Sequence, residues 1–175
     1  ILFASSMSVY GDAQSGVGSE EVAPAPISCY GVGKFSAENY LQVFSHQIPY
    51  VSLRMFNVYG PGQDMENLKQ GMVSIYLAQA LKNGHIIVRG GAGRSRDFIN
   101  IADVVDIWVR AAHSSKTLGE KINVGTGVST SVAQLIEKIQ REVPTTTVRY
   151  EGSTPGDQHG IIADTTKLRS LVGKS

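Results

Sequence analysis

Residues 1–4 and 50–56 are apolar runs of strand length, and between them lie a polar loop and one long helical stretch. That order of strand, loop, helix and strand calls for an α/β fold with parallel pairing. Ile1-Leu2-Phe3-Ala4 ends in Ser5-Ser6, as a buried parallel strand does when it delivers a polar tip. Gly, Ser, Pro and acidic residues fill 11–27, which predicts an exposed loop. A helix is predicted over 28–47, with Ser28 as its cap, Phe35, Leu41 and Phe44 on its apolar face, and Pro49 as its stop. The second strand runs into Asn57-Val58-Tyr59-Gly60-Pro61-Gly62, where the boundary between two parts of the chain is placed.

Beyond Gly62 the pattern is mixed. Helices are predicted over 71–82, 102–113, 131–141 and 165–171, and strands over 86–89, 97–100, 121–124 and 147–150. Val73, Tyr76, Leu77 and Leu81 recur at helical spacing, and Asp103 stands where a carboxylate suits the helix dipole. Gly90-Gly91-Ala92-Gly93 lies between two of the strands and reads as a hairpin turn.

Composition narrows the function classes. A 42% hydrophobic share of 175 residues suffices for one ordinary core and is not that of a disordered chain. Sixteen Lys+Arg against fifteen Asp+Glu leave a net charge of +1, so nothing draws the chain as a whole to nucleic acid or an anionic membrane. Any anion site must be local. No apolar run approaches the roughly 20 residues of a membrane span. The single cysteine, Cys29, forbids an intrachain disulfide and fits a reducing, cytoplasmic compartment. The four histidines are scattered without metal-ligand spacing, so no metal is expected. The chain opens on Ile1, inside what reads as a strand end, which predicts a piece whose N-terminal part lies outside this sequence.

The strongest local signal for chemistry is Tyr30-Gly31-Val32-Gly33-Lys34. Residues i and i+4 share a helix face, so Tyr30 and Lys34 project together. A phenol is a poor base at neutral pH, but a neighbouring ammonium favours its phenolate, which makes the pair a proton-transfer unit. Taken alone the spacing is common, and it equally fits a surface lysine beside a half-buried tyrosine. Ser5-Ser6-Met7-Ser8-Val9-Tyr10-Gly11 lies at a strand end, where open parallel sheets bind ligands. Gly31 and Gly33 each cost a helix about 1 kcal/mol against Ala, which close approach of a ligand would explain; the alternative is a regular helix that starts only at Lys34.

Six motifs in order extend this signal: S-S-M-S-V-Y-G, then Y-x-x-x-K, R-M-F-N-V-Y-G-P-G-Q, R-D-F-I-N-I-A-D-V-V, N-V-G-T-G and P-G-D-x-x-x-x-x-A-D. The set resembles the extended short-chain dehydrogenase/reductase family, and within it the NAD-dependent sugar-nucleotide epimerase/dehydratase branch of the UDP-glucose 4-epimerase kind. The resemblance covers essentially the whole chain. It implies the C-terminal half of a Rossmann-type parallel sheet (residues 1–62) plus a small mixed α/β domain (63–175) that binds a nucleotide sugar and returns some elements to the sheet. The family's Gly-rich dinucleotide fingerprint does not occur in this sequence, so the chain as given is expected to bind NAD poorly or not at all.

By the same resemblance Tyr30 is the catalytic acid/base, Lys34 its electrostatic partner and a contact of the nicotinamide ribose, and Ser6 the catalytic hydroxyl that holds a substrate oxygen. Phe56 matches a position near the nicotinamide, although plain core packing accounts for it as well. Asn57 matches a contact of the substrate diphosphate and otherwise reads as a turn residue. Arg96 matches a phosphate-binding arginine and otherwise reads as an ion pair with Asp97 or a neighbouring strand. Asn67 and Asp157 match further substrate contacts, the latter near the uridine ribose. Two positions depart from the pattern. Thr154 stands where the family usually has an arginine, and Ile161 stands where side-chain bulk gates N-acetylated sugars.

The reaction type is also read by resemblance. The 4,6-dehydratases follow the catalytic hydroxyl residue with Asp and Glu, and the decarboxylases keep a Glu just before V-Y-G; here those positions are Met7 and Ser8. The GDP-sugar epimerase-reductases use a Cys where Ser8 stands. Simple 4-epimerisation through a 4-keto sugar is therefore expected, of UDP-glucose/UDP-galactose or their N-acetyl forms, by a homodimer whose Tyr30 helix lies at the dimer interface. The alternatives are a related dehydratase or reductase, or a non-catalytic relative that binds without turnover.

Overall fold

The apolar runs and capped helices assemble, in the computed structural model, into a mixed α/β architecture with mostly parallel strands. The structure describes residues 1–13, 16–67, 71–152 and 160–173. In chain order the elements are β1 (Leu2–Ser6), a 3-10 turn (Met7–Tyr10), β2 (Val17–Gly18), α1 (Cys29–Val43), β3 (Val51–Met55), β4 (Asn57–Tyr59) and α2 (Met72–Asn83). There follow β5 (His85–Arg89), β6 (Ser95–Arg96), β7 (Phe98–Asn100), α3 (Ile101–His113), a second 3-10 turn (Ser115–Thr117) and β8 (Lys121–Val124). The chain continues with β9 (Thr130–Ser131), α4 (Val132–Glu142), β10 (Thr147–Glu151), β11 (Ile162–Ala163) and α5 (Thr166–Val172).

The main sheet has the order β1-β3-β8, all parallel, with Ala4 opposite Leu53 and Ser52 opposite Lys121. Parallel strands need a crossover, and α1 supplies it between β1 and β3. Val51, Leu53, Ile122 and Val124 form the buried face, on which Val104, Ile107 and Ala111 of α3 and Leu168 and Val172 of α5 pack. Leu53 is fully buried at the centre of the middle strand. Leu53→Ala is expected to cost about 2–5 kcal/mol, as lost transfer energy plus a cavity, read as a lowered midpoint in urea unfolding.

A second core lies between the parallel pair β5–β10 and the helices α2 and α4, from Ile86, Val88, Tyr76, Ala80, Leu135, Ile136 and Ile139. Ser131 caps α4 in a capping box with Gln134, which fixes where this layer starts. A third, smaller core holds Val9, Tyr10, Phe56, Ile161 and Ala163.

Several expectations need correction. The stretch 11–27 is not all loop, because β2 pairs with β11. The run 50–56 breaks after Met55; Asn57–Tyr59 leaves the main sheet and pairs with β7. Gly90-Gly91-Ala92-Gly93 joins β5 to β6 but is no hairpin turn: β5 pairs with β10, and β6 pairs with β9. Gly90 has φ +89 and its N–H donates to Gly152 O, Ala92 O accepts from Ala133 N, and the Arg94 side chain folds back on the Arg89 and Gly91 carbonyls, so the loop is held by distant partners as well as by its own Arg94.

Helix α1 also differs from its prediction. It ends at Val43, Phe44 beyond it is exposed, and its fully sequestered side chain is a carboxylate, Glu38. It begins at Cys29 with Ser28 capping, so the regular helix does not wait for Lys34. Gly31 is explained by protein rather than ligand, since a Cβ there would run into the Ser8 carbonyl oxygen.

Candidate active site

A cleft of about 500 Å³ opens at the carboxyl ends of β1 and β3. Its walls come from Ser6, Met7 and Ser8 beyond β1, Phe56 and Asn57 beyond β3, Tyr30 at the start of α1, and Met72 at the start of α2, among others. Open α/β sheets bind ligands at this edge because the loops there diverge to neighbouring elements.

Ser6 ends β1 and is turned inward by the 3-10 turn that follows. Its Oγ accepts from Ser8 N at 3.2 Å and lies 3.2 Å from Ser8 Oγ. Tyr30 stands across the cleft on the first turn of α1, anchored by the Ser28 side chain, which accepts from Gly31 N at 3.0 Å. Its ring is 58% exposed, so the half-buried tyrosine that the bare spacing allowed is not what the fold makes. Lys34, one turn on, places its Nζ 5.5 Å from the centre of the Tyr30 ring and donates to Ala4 O at 2.8 Å. The ammonium is thus held between β1 and the phenol, not released to solvent.

Phe56 serves both readings, since it lines the cleft and packs in the third core. Asn57 is the first residue of β4, not a turn residue. Its Nδ2 donates to Asp97 O at 3.0 Å and lies 3.7 Å from Met7 Sδ. Arg96 is buried in β6, away from the cleft wall, with Nη1 donating to Ser95 O at 2.8 Å. Burial first, and then the like charge of Arg94, lower its pKa from the usual guanidinium value. Asp97 is no ion-pair partner for it: the Asp97 carboxylate accepts instead from Thr126, Gly127 and Ala163. Asn67 sits in the loop before α2, its N–H on Asp64 O at 3.3 Å, and does not line the cleft. Ile161 is fully buried in the third core. Asp157 and Thr154 lie outside the described residues.

Beneath the cleft lies a buried polar network that the sequence reading missed. Arg54 of β3 grips Glu38 with Nε (2.9 Å) and Nη2 (2.7 Å), and Ser5 Oγ donates to the same carboxylate at 2.6 Å. Arg54 Nη1 donates to Tyr10 OH at 3.0 Å, and Tyr10 OH donates to Asn123 Oδ1 at 2.7 Å. Burial pushes the Tyr10 phenol up to about 12, against the pull of Arg54. Burial alone would lower Arg54, but its bonds to Glu38 and Tyr10 raise it on balance. Two signals were available: an arginine inside an apolar strand run, and an acid two turns along α1 from Tyr30.

Residues 1–125 match the family described as the NAD dependent epimerase/dehydratase family. A UDP-glucose 4-epimerase of Mycolicibacterium smegmatis is 31% identical over 169 residues, 95% of this chain and 53% of that protein. Among solved structures, a UDP-N-acetylglucosamine 4-epimerase from Methanobrevibacter ruminantium, in complex with UDP-N-acetylmuramic acid, superposes with a TM-score of 0.92 at 29% identity, covering 99% of this chain and 56% of that one. A UDP-glucuronic acid 4-epimerase from Bacillus cereus, in complex with UDP-glucuronic acid and NAD, gives 0.90 at 31% identity, covering 99% and 55%. The relatives also include UDP-glucuronic acid decarboxylases of Arabidopsis thaliana. The chain spans about half the length of the curated relatives it matches. The parallel α/β architecture is that of the Rossmann-type epimerases.

Proposed function

The chain belongs to the NAD-dependent epimerase/dehydratase family, and from that premise we propose that it is the catalytic portion of a nucleotide-sugar 4-epimerase. One observation carries the choice of reaction. Among the described residues lining the cleft, Tyr30 is the sole acid–base side chain; no Asp, Glu, His, Cys or Lys shares the wall. Epimerisation at one carbon needs a single group to take and return one hydroxyl proton. Elimination of water from a sugar needs a further acid or base at a second carbon. Met7 and Ser8, beside the catalytic hydroxyl, supply neither.

In this reading Tyr30 accepts the proton of the sugar 4-hydroxyl, and Lys34, fixed on Ala4 O, sets its positive charge beside the Tyr30 ring. Ser6 Oγ holds the sugar oxygen as its proton leaves. NAD, when bound, would supply reversible hydride exchange at C4, with Tyr30, Lys34 and Phe56 at its nicotinamide end. The fit of NAD to this chain is partial. An exposed phenol, a cationic amine and the Phe56 ring at the ends of two parallel strands suit the nicotinamide end. For the pyrophosphate, the glycine-rich 90–93 loop opens β6 rather than a helix, so it offers no dipole to bind it.

The substrate is a nucleoside-diphosphate sugar; Asn57 on the cleft wall is its contact there, whereas Arg96 and Asn67 stand off that wall and are carried, with Asp157, by the family resemblance alone. Residues 1–62 belong with the cofactor and 63–175 mainly with the sugar nucleotide, with β8 returning to the main sheet. A homodimer is supported by the exposed apolar side chains Tyr40 and Val43 on α1 and Val105 and Val109 on α3. A cytoplasmic setting suits the single exposed cysteine. Among the described residues no helix is long and apolar enough to cross a membrane.

The test is product identity. The full-length protein, supplied with NAD and in turn with UDP-glucose, UDP-galactose and their N-acetyl forms, is expected to interconvert one 4-epimeric pair, resolved by chromatography. A stable 4-keto-6-deoxy product would refute the assignment.

A further inference from the structure

Tyr30, Lys34 and Glu38 follow one another at single-turn intervals, so they form one stripe along α1. Lys34 lies one turn from both of its neighbours and is long enough to reach either. The fold turns it toward Tyr30 and β1: its Nζ is bonded to Ala4 O and lies 5.2 Å from the Phe3 ring and 5.5 Å from the Tyr30 ring. Glu38, although 0% exposed and one turn away, pairs with Arg54 instead. Three donors occupy the Glu38 carboxylate, Ser5 Oγ and Arg54 Nε on Oε1 and Arg54 Nη2 on Oε2. Arg54 is itself 1% exposed and fixed on its other side by Tyr10. Among the described residues, the other titratable groups that act on this network from packed elements are the phenols of Tyr10 and Tyr50 and the carboxyl of Glu20; the Lys167 ammonium acts on Glu20 and pairs with Glu120.

A buried carboxylate that loses its partner recruits another cation or gives up its charge. Lys34 is the cation on its own stripe. We propose that the Arg54–Glu38 fork is a positioning pair that satisfies Glu38 from the sheet side and so reserves Lys34 for Tyr30. The inference rests on the reading of Tyr30 as the acid/base. It assigns Arg54 and Glu38 no contact with substrate; they act through Lys34. The fork requires an arginine, because a lysine in its place cannot bind both carboxylate oxygens in one plane.

The test compares charge patterns in the full-length protein. Arg54→Met leaves the Glu38 charge with the Ser5 hydroxyl but no cation, Glu38→Gln removes that charge, and Arg54→Met with Glu38→Leu removes both. The first readout is the side-chain nitrogen signal of Lys34 in lysine-labelled protein, assigned by its loss in Lys34→Arg. This signal is expected to move in Arg54→Met and to stay at the native position in the other two. The second readout is turnover. In Arg54→Met, kcat is expected to fall about 30-fold with KM within about 3-fold of native, a fraction of what general acid–base catalysis supplies. The double variant is expected to recover to within about 5-fold of native, because the competing charge is gone. If Arg54→Met does not fold, Arg54→Gln, which keeps a donor toward Glu38, is read in its place.

A Lys34 signal that stays put in Arg54→Met, or a double variant as slow as the single one, overturns the proposal and leaves the fork as packing alone. A native protein that turns over no nucleotide sugar while the Lys34 signal moves as expected overturns the epimerase reading and leaves the charge arrangement standing.

Discussion

Tyr30→Phe in the full-length protein is expected to lower sugar epimerisation by about a thousandfold, within the range that a positioned acid–base group contributes. NAD is expected to remain bound. The substitution deletes one oxygen and keeps the ring, so the 5.5 Å relation of Lys34 Nζ to that ring has no reason to change. Nor does the Ala4 carbonyl that holds the ammonium from the far side. What goes is the group that takes the sugar proton, and the cleft wall has no second acid or base among its described residues to replace it. Turnover and NAD content measured on the same preparation separate the two effects. Full turnover removes Tyr30 from the chemistry; loss of NAD together with turnover makes the hydroxyl a binding group.

The second large effect is on stability. Asp97→Ala is expected to destabilise the fold by about 4 kcal/mol, because hydrogen bonds to a charged group contribute about 1.5–3 kcal/mol each and do not add fully. The Asp97 side chain is fully buried, and its carboxylate accepts from Thr126 N (2.8 Å), Thr126 Oγ1 (2.6 Å), Gly127 N (2.8 Å) and Ala163 N (3.1 Å). It therefore ties the turn after β8 to β11. The turn is drawn so close that a Cβ on Gly125 would sit 2.6 Å from Ala163 Cβ and 2.7 Å from Asp97 Oδ2. For a chain of this size such a loss lowers Tm by roughly 8–16 °C. Asp97→Asn should not rescue it, since one amide end would set a donor against the N–H groups of Gly127 and Ala163. A Tm change under about 2 °C in Asp97→Ala would show these donors to be satisfied some other way.

The parts legible in the sequence were those with a local physical signature. The apolar runs became β1, β3 and β8, and Ser28 accepts the N-terminal N–H that its position predicted. Ser6 and Tyr30 share a cleft because a strand end and the first turn of the crossover helix must lie together. The two-residue strands β2, β6, β9 and β11 carry no periodic signal and exist through partners remote in the chain. The 90–93 glycines showed turn chemistry, but which strands would pair around them was settled by β10 and β9. Ile161 lies where the resemblance placed a gate, and its side chain went to a core formed with residues far upstream. Pro49 marks where a helix must have stopped, not where it does; α1 ends at Val43, with Phe44 exposed beyond it.

The main sheet takes its third strand from residues that arrive late. Ser52 pairs with Lys121, and between them the chain travels out through α2, β5, β6, β7 and α3 before β8 comes home. The middle strand thus waits on one side for a neighbour whose capture means closing a very long loop, an entropy cost that must be met before any hydrogen bond or apolar contact repays it. Refolding from denaturant should accordingly be slow beside that of helical proteins of equal size. Proteolytic nicking anywhere in that excursion would loosen the sheet as well as the lobe, since the outer layer is threaded into the inner one.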